Sequence, residues 1–402
     1  MDSVTVGNTI SALRRGAGLT QASLAEKLGV SDKTISKWEN GQGYPDITLF
    51  PSIAALFGVS IDYLMLGNKR GIAVAGNIVA DVVKDIDVYP EAGMLTYVSE
   101  IVTAVGGCVP NTAIDLAKID RSLPVSAIGR VGADENGRYI VSELRKSGVS
   151  VEGISYSEKS CTSFCDVMSM PSGDRTFFHK KGANAEFSPE NINLDNLNCD
   201  ILHIGYILLL DKFDEEDEEY GTVMARFLSN VQKRGIKTSI DVVSDSTADY
   251  KKKIEPTLKY CNYAIMNEIE SCSIWNLAPR HPDGTLNREN VHLAMIKMAE
   301  SGVRDKVVIH CREACFCLDV HSKSFCEIES FDIPKEHIRG RVGAGDAFCA
   351  GCLYGLYNGF SDRDMLEFAT GAASCNLFEA NSVDGMRPKN EIFKLIDEYK
   401  KR

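Results

Sequence analysis

The sequence predicts two domains: an all-α helix-turn-helix domain over residues 1–67, and an α/β domain with a largely parallel sheet flanked by helices over residues 71–402. Three observations support this prediction. The chain of 402 residues is longer than one average domain. Its first part contains short apolar helical segments separated by glycine turns. Its second part alternates strand-like apolar runs with amphipathic helical stretches.

The composition is that of a globular protein, with 44% hydrophobic and 25% charged residues. No apolar run approaches the roughly 18 residues that a membrane span needs. The N-terminus lacks the basic and apolar features of an export signal. We therefore expect no membrane partner, a cytoplasmic location, and reduced thiols at the 13 cysteines.

Charge is distributed unevenly between the two parts. Residues 1–70 contain seven Lys or Arg and six Asp or Glu, whereas the remainder contains 37 basic and 50 acidic residues. The acidic balance of the second part argues against nucleic-acid binding there. The nearly neutral first part leaves such binding open.

The first part predicts about five short helices in a compact unit. Glycine turns end one helix, and a following Ser or Thr caps the next. A tight turn at residues 28–31 joins the second and third helices, which is the signature of a helix-turn-helix. Ser31 would cap the third helix, with Ile35 and Trp38 facing inward. The outward face would then carry four polar side chains: Asp32, Lys33, Ser36 and Lys37.

Residues 19–25 and 34–41 resemble the Cro/C1-type (XRE) DNA-binding domain, and the resemblance covers the whole first part. It implies phosphate contacts from Gln21 and Asn40. It also implies that three side chains face base edges in the major groove of operator DNA, namely Asp32, Lys33 and Lys37. The alternative is a degenerate helical module that is used for protein contacts.

The second part follows a short linker at residues 67–70, which we expect to restrain the two domains relative to each other. Seven apolar runs predict strands: 72–76, 125–129, 162–168, 201–204, 237–241, 263–266 and 306–310. Amphipathic stretches between them predict helices, including 112–119, 139–147, 220–234 and 290–301. This alternation is typical of a largely parallel sheet, in which sites lie beyond the carboxyl ends of the strands.

A Gly-Ala-Gly-Asp turn at residues 343–346 leads into a predicted helix. Backbone N–H groups at such a turn, together with the helix dipole, favour a bound anion. Asp346 in the first helical turn would face that anion, and it could take a proton from an attacking hydroxyl in phosphoryl transfer. The alternative is a glycine turn with a capping aspartate, because short glycine motifs have a high false-positive rate.

Several other turns follow predicted strands or precede predicted helices. Asp81 follows the first strand, and a Gly-Gly turn at residues 106–107 enters a helix that contains Asn111. Further turns lie at residues 129–137, 174–185 and 267–270. In this order and spacing, the turns resemble those of the ribokinase-like (PfkB) carbohydrate kinase family across residues 71–400. The resemblance implies a small β lid, ATP and Mg²⁺ as cofactors, a sugar or sugar acid as substrate, and a homodimer.

The resemblance also implies roles for individual residues. Asp346 matches the catalytic base. The amides that stabilise the transferring phosphoryl group match Gly343, Ala344 and Gly345. The positions that hold sugar hydroxyls match Asp81, Gly106, Gly107 and Asn111. Asn267 and Glu270 match a segment that organises Mg²⁺ through water, although by themselves they could form a reciprocal helix cap.

Two departures from the family pattern put the nucleotide site in doubt. Residues before the glycine turn are Gly340-Arg341-Val342 instead of Asp-Thr-Thr-like residues, so Arg341 would either clamp a phosphate or obstruct the site. The nucleotide turn at residues 310–315 lacks both of its glycines, which keeps the backbone farther from a nucleotide. A second hypothesis therefore stays open, in which the kinase-like domain only senses a sugar for a transcription regulator. A nucleoside kinase is a third hypothesis, and residues 175–185 argue against it because they look more like those of the sugar and sugar-acid branch.

The cysteine-rich segment allows a metal site formed by His310, Cys311, Cys315 and Cys317. Their spacing is irregular, however, and the segment predicts two strands, which favours buried thiols. Cys349 and Cys352 lie within the predicted helix after the glycine turn, and we interpret them as core residues.

Overall fold

The computed structural model describes residues 3–66, 70–171, 175–244 and 249–399. The chain separates into two compact units, Met1–Arg70 and Gly71–Arg402, which we call the N-terminal and C-terminal units. Three residues of the predicted linker, Gly67, Asn68 and Lys69, lie outside the described residues, as does Asp174.

Five helices form the described part of the N-terminal unit: α1 (Ser3–Gly16), α2 (Gln21–Leu28), α3 (Asp32–Glu39), α4 (Phe50–Phe57) and α5 (Ile61–Leu66). Thr20 caps α2, and Gly29 ends it with a φ of 68° that favours glycine. Ser31 caps α3 as predicted. One apolar cluster fills the centre of the unit, and its buried members include Leu24, Ile35 and Trp38. The predicted helix-turn-helix fold is confirmed.

The described part of the C-terminal unit contains fifteen strands and nine helices. The strands are β1 (Ile72–Gly76), β2 (Val79–Ile86), β3 (Val98–Gly106), β4 (Val125–Gly132), β5 (Ser150–Ser157), β6 (Ser163–Ser169), β7 (Arg175–Lys180), β8 (Ile201–Ile207), β9 (Glu216–Asp217), β10 (Gly221–Thr222), β11 (Lys237–Val242), β12 (Tyr263–Asn267), β13 (Lys306–His310), β14 (Ala314–Asp319) and β15 (Ser324–Glu329). The helices are α6 (Cys108–Ile119), α7 (Glu135–Lys146), α8 (Val223–Gln232), α9 (Tyr250–Leu258), α10 (Glu268–Ser273), α11 (Arg288–Glu300), α12 (Ala344–Asn358), α13 (Asp362–Asn376) and α14 (Lys389–Glu398).

The main sheet has nine strands in the order β15-β14-β13-β12-β11-β8-β1-β4-β5. Its neighbours from β13 to β5 pair in parallel, and β14 and β15 extend one edge as an antiparallel hairpin. Two large apolar clusters cover the sheet on opposite faces, because alternate residues of β1 belong to different clusters. One cluster includes α6 and α12, and the other includes α8 and α11. The predicted α/β architecture is confirmed.

A second sheet forms a small lid with the strand order β3-β2-β6-β7. β2 pairs antiparallel with β3 and parallel with β6. The chain passes from the end of β1 directly into β2, with only residues 77 and 78 between them. The lid therefore begins at the carboxyl end of a central strand of the main sheet.

The seven predicted strands are all present, with boundaries shifted by a few residues. One local expectation was wrong, because β4 continues through Gly132 where a loop was expected from residue 129. Pairing with β5 extends this strand beyond its buried apolar run. Asp81 follows the first strand as predicted, and it lies inside β2 of the lid. No described helix is long and apolar enough to cross a membrane.

Candidate active site and DNA-reading helix

The acid of the glycine turn lies buried at the start of α12. Gly343 precedes the helix with a φ of 79°, and a Cβ atom at this position would lie 2.6 Å from the Cβ of Ser382. Only glycine fits this turn without displacing its neighbour. Asp346 follows in the first helical turn, and 4% of its surface is exposed. The turn therefore requires glycine at residue 343 for steric reasons, and the helix that follows it places the carboxylate of Asp346 in the interior.

Two neutral donors hold the Asp346 carboxylate. The Nδ2 of Asn111 donates to Oδ2 at 2.8 Å, and the hydroxyl of Tyr206 lies 3.0 Å from both oxygens. Burial raises the pKa of Asp346 to about 6, and the nearby charge of Asp241 adds to the rise. The two hydrogen bonds oppose that rise because they stabilise the ionised form. The result is a buried acid that titrates close to neutral pH.

The amide of Asn111 is itself oriented by a serine from a distant part of the chain. Ser382 Oγ donates to Asn111 Oδ1 at 2.8 Å, and it also lies 3.1 Å from the carbonyl oxygen of Val105. Because the Asn111 oxygen accepts this bond, its nitrogen faces Asp346. Only one amide hydrogen of Asn111 is left to reach a ligand.

The lid and the start of α6 meet at two glycines. A Cβ atom on Gly106 would lie 2.3 Å from a carboxylate oxygen of Asp81, so the absence of a side chain lets that carboxylate pack directly against the backbone. Gly107 has a φ of 83° and leads into α6, which carries Asn111. Asp81 thus contacts Gly106, Gly107 leads into the helix of Asn111, and Asn111 donates to Asp346, so these residues are neighbours in the structure.

A cavity of about 540 Å³ lies beside the same turn. Three cationic side chains line it, Arg312, Lys335 and Arg341, together with Ala344 and Gly345. Its wall also includes the β13–β14 turn that lacks the two family glycines, so their replacement does not close the pocket. A concave site of this size and positive charge suits a polyphosphate.

Asn267 and Glu270 form the reciprocal cap of α10 that was the alternative interpretation of the sequence. Asn267 Oδ1 accepts from the backbone N–H groups of Ile269 and Glu270, and Glu270 Oε2 accepts from the N–H of Asn267 at 3.0 Å. Ser244 and the Asn267 amide both donate to Glu270 Oε1. Burial raises the pKa of Glu270 to about 8. These oxygens are already engaged, so they fit a cation only through bridging water.

Two residues that hold the site together were missed by the sequence analysis. Tyr206 lies at the end of β8 with a φ of 55°, just beyond the predicted limit of that strand. A bulky side chain at the carboxyl end of a central strand was the available signal. Ser382 lies 271 residues from Asn111 in the sequence, and no local pattern marks it.

The cysteines of the 310–317 segment are not gathered into a metal site. Cys315 and Cys317 are buried in the apolar core of β14, and His310 packs against Phe348 with ring centroids 4.7 Å apart. The preferred interpretation as buried thiols agrees with this packing. Among the described residues, the potential metal ligands that lie close enough together to share one ion are His203, Asp241 and Cys349.

The predicted DNA-reading residues lie on or beside α3 of the N-terminal unit. Asp32, Lys33, Lys37 and Asn40 are exposed, whereas Ile35 and Trp38 are buried on the opposite face. Gln21 begins α2, and its amide donates to Glu39 Oε2 at 2.8 Å. Glu39 is also bound by Arg14 through two hydrogen bonds. This network fixes α1, α2 and α3 relative to one another.

The lid, the parallel sheet and the buried acid after the glycine turn define the C-terminal unit as a ribokinase-fold domain. Residues 69–389 match the family model described as pfkB family carbohydrate kinase, and the chain belongs to that family. Residues 10–64 match the helix-turn-helix family model. The chain therefore combines a sugar-kinase domain of the ribokinase type with a helix-turn-helix DNA-binding domain, as the sequence predicted.

Known relatives match each part separately. Ribokinase from Arabidopsis thaliana is 23% identical over 327 residues, which cover 81% of this chain and 80% of the relative. A 5-dehydro-2-deoxygluconokinase from Listeria monocytogenes serotype 4a is 23% identical over 308 residues, covering 73% and 86%. The HTH-type transcriptional activator BcrR from Enterococcus faecalis is 47% identical over 60 residues, covering 15% of this chain and 29% of that protein.

Solved structures share the fold of the C-terminal unit. Arabidopsis thaliana ribokinase complexed with ribose and ATP superposes with a TM-score of 0.67 at 20% identity, covering 82% of this chain and 99% of that one. A putative ribokinase II from E. coli in complex with ATP and Mg²⁺ gives a TM-score of 0.64 at 16% identity, covering 82% and 99%.

Proposed function

We propose that the chain is a cytoplasmic sugar kinase that transfers the γ-phosphate of ATP to a hydroxyl of a sugar or sugar acid, and that it also regulates transcription by binding operator DNA. The observation that supports the proposed kinase activity is the environment of Asp346. It is buried directly after the glycine turn, and neutral donors hold it. The names of the two kinase relatives support a substrate of the sugar or sugar-acid class.

Asp346 is the proposed catalytic base. With a pKa of about 6, its carboxylate is mostly ionised at neutral pH and can accept the proton of a substrate hydroxyl. Asn111 and Tyr206 fix the two carboxylate oxygens, so the base does not have to reorganise when the substrate arrives. The backbone N–H groups of residues 343–345 then face the position of the transferring phosphoryl group.

The sugar is proposed to lie between the lid and α6. Asp81 would accept hydrogen bonds from its hydroxyls, and the bare backbone at Gly106 and Gly107 lets the sugar approach closely. Asn111 would contribute its one remaining amide hydrogen. These groups hold the acceptor hydroxyl near Asp346.

ATP is proposed to occupy the cationic cavity beside the glycine turn, where Arg341, Arg312 and Lys335 would contact its phosphates. Bound Mg²⁺ would supply neutralisation of the phosphate charge. Asn267 and Glu270 would hold that ion only through water, because their oxygens already accept hydrogen bonds within the α10 cap.

A second candidate is a regulator whose kinase-like unit senses a sugar without turnover. The observation that favours it is the altered nucleotide turn, where Arg312 and Cys315 occupy the two glycine positions of the family and Glu313 between them pairs with Arg280 at 2.9 Å. In this account Arg341 would obstruct the phosphates instead of binding them.

The lid supports the proposal of a homodimer. Its strands and the loop before β3 expose several large apolar side chains, including Tyr97, Ile101, Val102, Phe177 and Phe178. Large apolar side chains exposed on one small sheet are a feature of interaction surfaces. Ile101→Lys should convert the dimer to a monomer in light scattering, and a wild-type protein that is monomeric at all concentrations would exclude this dimer.

The test of the proposed function is a thermal-shift screen of sugars, sugar acids and nucleosides, with and without Mg-ATP. A ligand that binds the native state raises its melting temperature. We expect a sugar or sugar acid to raise it, and ATP to raise it further. A response confined to nucleosides would reject the substrate class, and a response to a sugar but not to ATP would favour the sensor.

A further inference from the structure

A buried group of potential metal ligands lies one helical turn beyond Asp346. It consists of His203 on β8, Asp241 on β11 and Cys349 on α12, and all three are buried. One nitrogen, one sulfur and one carboxylate oxygen, each from a different residue, lie within 4.8 Å of one another. The group joins two neighbouring strands of the main sheet to the helix that carries the proposed base.

The distances within the group match those between the ligands of a single ion. His203 Nε2 lies 3.6 Å from Asp241 Oδ2 and 3.6 Å from Cys349 Sγ. Ligand bonds of about 2.0–2.3 Å in a tetrahedral zinc site place neighbouring ligand atoms roughly 3.3–3.8 Å apart. A nitrogen-to-oxygen distance of 3.6 Å is too long for a hydrogen bond. The nitrogen-to-sulfur distance is within the range of a weak hydrogen bond that involves sulfur, so the histidine–aspartate spacing is the one that an ion accounts for better than a direct bond does.

The atoms of these side chains that face away from the centre are already fixed. His203 Nδ1 lies 3.0 Å from Ser239 Oγ, which leaves Nε2 to face the aspartate and the thiol. Asp241 Oδ1 accepts the backbone N–H of Tyr206 at 2.7 Å, which leaves Oδ2 facing inward. Metal-ligating side chains are usually oriented by such outer hydrogen bonds.

The thiol of Cys108 lies near this group without belonging to it. A Cβ atom on Gly205 would lie 2.6 Å from Asp241 Oδ1 and 2.9 Å from the Sγ of Cys108, so both side chains press against the same glycine. Cys108 begins α6, the helix that also carries Asn111. Cys352, one turn after Cys349 on α12, is equally buried but is not part of the group.

We propose that His203, Asp241 and Cys349 bind one divalent zinc-class ion, with water as the fourth ligand. The mixed imidazole, carboxylate and thiolate set is suited to zinc. The ion would cross-link β8 and β11 to α12 and thereby fix the position of Asp346 from beneath. His203, Asp241 and Cys349 are positioning residues in this account, because none of them touches the reacting atoms.

The experiment titrates Co²⁺ alone into full-length protein that was purified in the presence of a chelator and reduced. Cobalt reports thiolate ligation through a charge-transfer absorption band, and zinc displaces it because it binds more tightly. We expect one equivalent of Co²⁺ to produce the band, and Zn²⁺ to abolish it. Cys349→Ser should lose the band, whereas the matched control Cys352→Ser should keep it.

A second readout does not depend on any variant. Zn²⁺ should raise the melting temperature of the wild-type protein, because it binds the native state. The rise should be absent in His203→Asn, even if Cys349→Ser fails to fold. Absence of the thiolate band in the folded wild-type protein would overturn the proposal. So would a band that survives Cys349→Ser and disappears in Cys352→Ser.

Discussion

Each unit contains an acid near the end of a helix whose side chain is largely shielded from solvent, and the two acids have different partners. Glu39 ends α3, where the guanidinium of Arg14 donates to both of its oxygens at 2.6 and 2.9 Å. Asp346 begins α12, where the donors are the neutral groups of Asn111 and Tyr206. Glu39 is paired with a cation, whereas Asp346 accepts hydrogen bonds from neutral groups.

The difference in partners appears in the pKa values. Burial, the largest influence on Glu39, raises its pKa, but the hydrogen bonds from Arg14 and Gln21 and the charge of Arg14 outweigh it, so the pKa is lowered. Burial raises the pKa of Asp346 to about 6, because the hydrogen bonds from Asn111 and Tyr206 only partly oppose it. A paired buried acid stabilises the fold, whereas a buried acid with neutral donors is poised to exchange a proton. The same residue chemistry thus stabilises structure in one unit and, in the proposed function, serves catalysis in the other.

The largest expected effect is on catalysis. Asp346→Asn keeps the shape of the side chain and removes the base, so turnover should fall by about 10²–10⁴-fold, with little change in sugar binding. Steady-state kinetics and calorimetry measure the two quantities separately. Asp115→Asn is the matched control, because Asp115 is also fully buried in this unit and burial likewise raises its pKa. Equal turnover in Asp346→Asn and wild type would reject the assignment of the base.

The second effect is on the stability of the N-terminal unit. Glu39→Gln leaves the buried guanidinium of Arg14 without its counter-ion, which should cost about 3–5 kcal/mol of unfolding free energy. Trp38 is buried in this unit, so its fluorescence reports unfolding in urea when Trp275→Phe removes the other tryptophan. Glu26→Gln, a change at an exposed glutamate of α2 in the same unit, is the matched control and should change the unfolding free energy by no more than about 0.5 kcal/mol.

The same pair predicts how the stability of the N-terminal unit depends on pH. Because the pKa of Glu39 is lowered in the folded state, its contribution is present above the unfolded value of about 4.3 and is lost as the pH falls through the folded value. The difference in unfolding free energy between wild type and Glu39→Gln should therefore shrink below about pH 4. A difference that stays constant down to acid unfolding would show that the ionised pair is not its source.

A smaller effect is expected on DNA recognition. Lys33→Ala and Lys37→Ala remove exposed cations from α3, and each should weaken binding to a selected operator by about 1–3 kcal/mol. At least one should also alter the preferred bases, as measured by selection from a random DNA pool. Lys27→Ala, an exposed lysine on α2, should leave base preference unchanged. A footprint that is insensitive to both α3 lysines would contradict this mode of docking.

An effect of similar size is expected on the coupling between the two units. We expect sugar binding to change operator affinity by about 1–3 kcal/mol, or roughly 5- to 150-fold, and operator to change sugar affinity by the same factor. Paired titrations at fixed salt measure both. A flexible insertion after Asn68 should reduce the coupling and leave the separate affinities intact. Identical affinities with and without the second ligand would show that the units are joined without communication.

The sequence predicts best those elements whose burial is uniform. All five residues of β1 are buried, and its apolar run was recognised at its full length. Most residues of β3 are exposed, and β2 is half-buried, so neither lid strand has the apolar pattern that marks a strand. The lid was expected only from family resemblance, because its strands are stabilised mainly by pairing with one another.

The candidate site likewise contains residues that the sequence could predict and residues that it could not. Gly343, Gly107 and Asp346 belong to short motifs in which the backbone conformation and the acid are adjacent in the sequence. Tyr206 and Ser382 reach the site from strand and loop positions that are 140 or more residues away from the groups they contact. Such partners depend on the tertiary fold, which no local pattern contains.

The most direct test of the central claim is detection of the product. Full-length protein is incubated with Mg-ATP and the sugar that most raises its melting temperature, and the mixture is followed by phosphorus NMR. We expect a phosphomonoester signal to appear together with ADP in the wild-type reaction and to be absent with Asp346→Asn. A sugar that binds the wild-type protein tightly but never yields a phosphomonoester would contradict the catalytic role of Asp346 and leave the sugar-sensing regulator as the function.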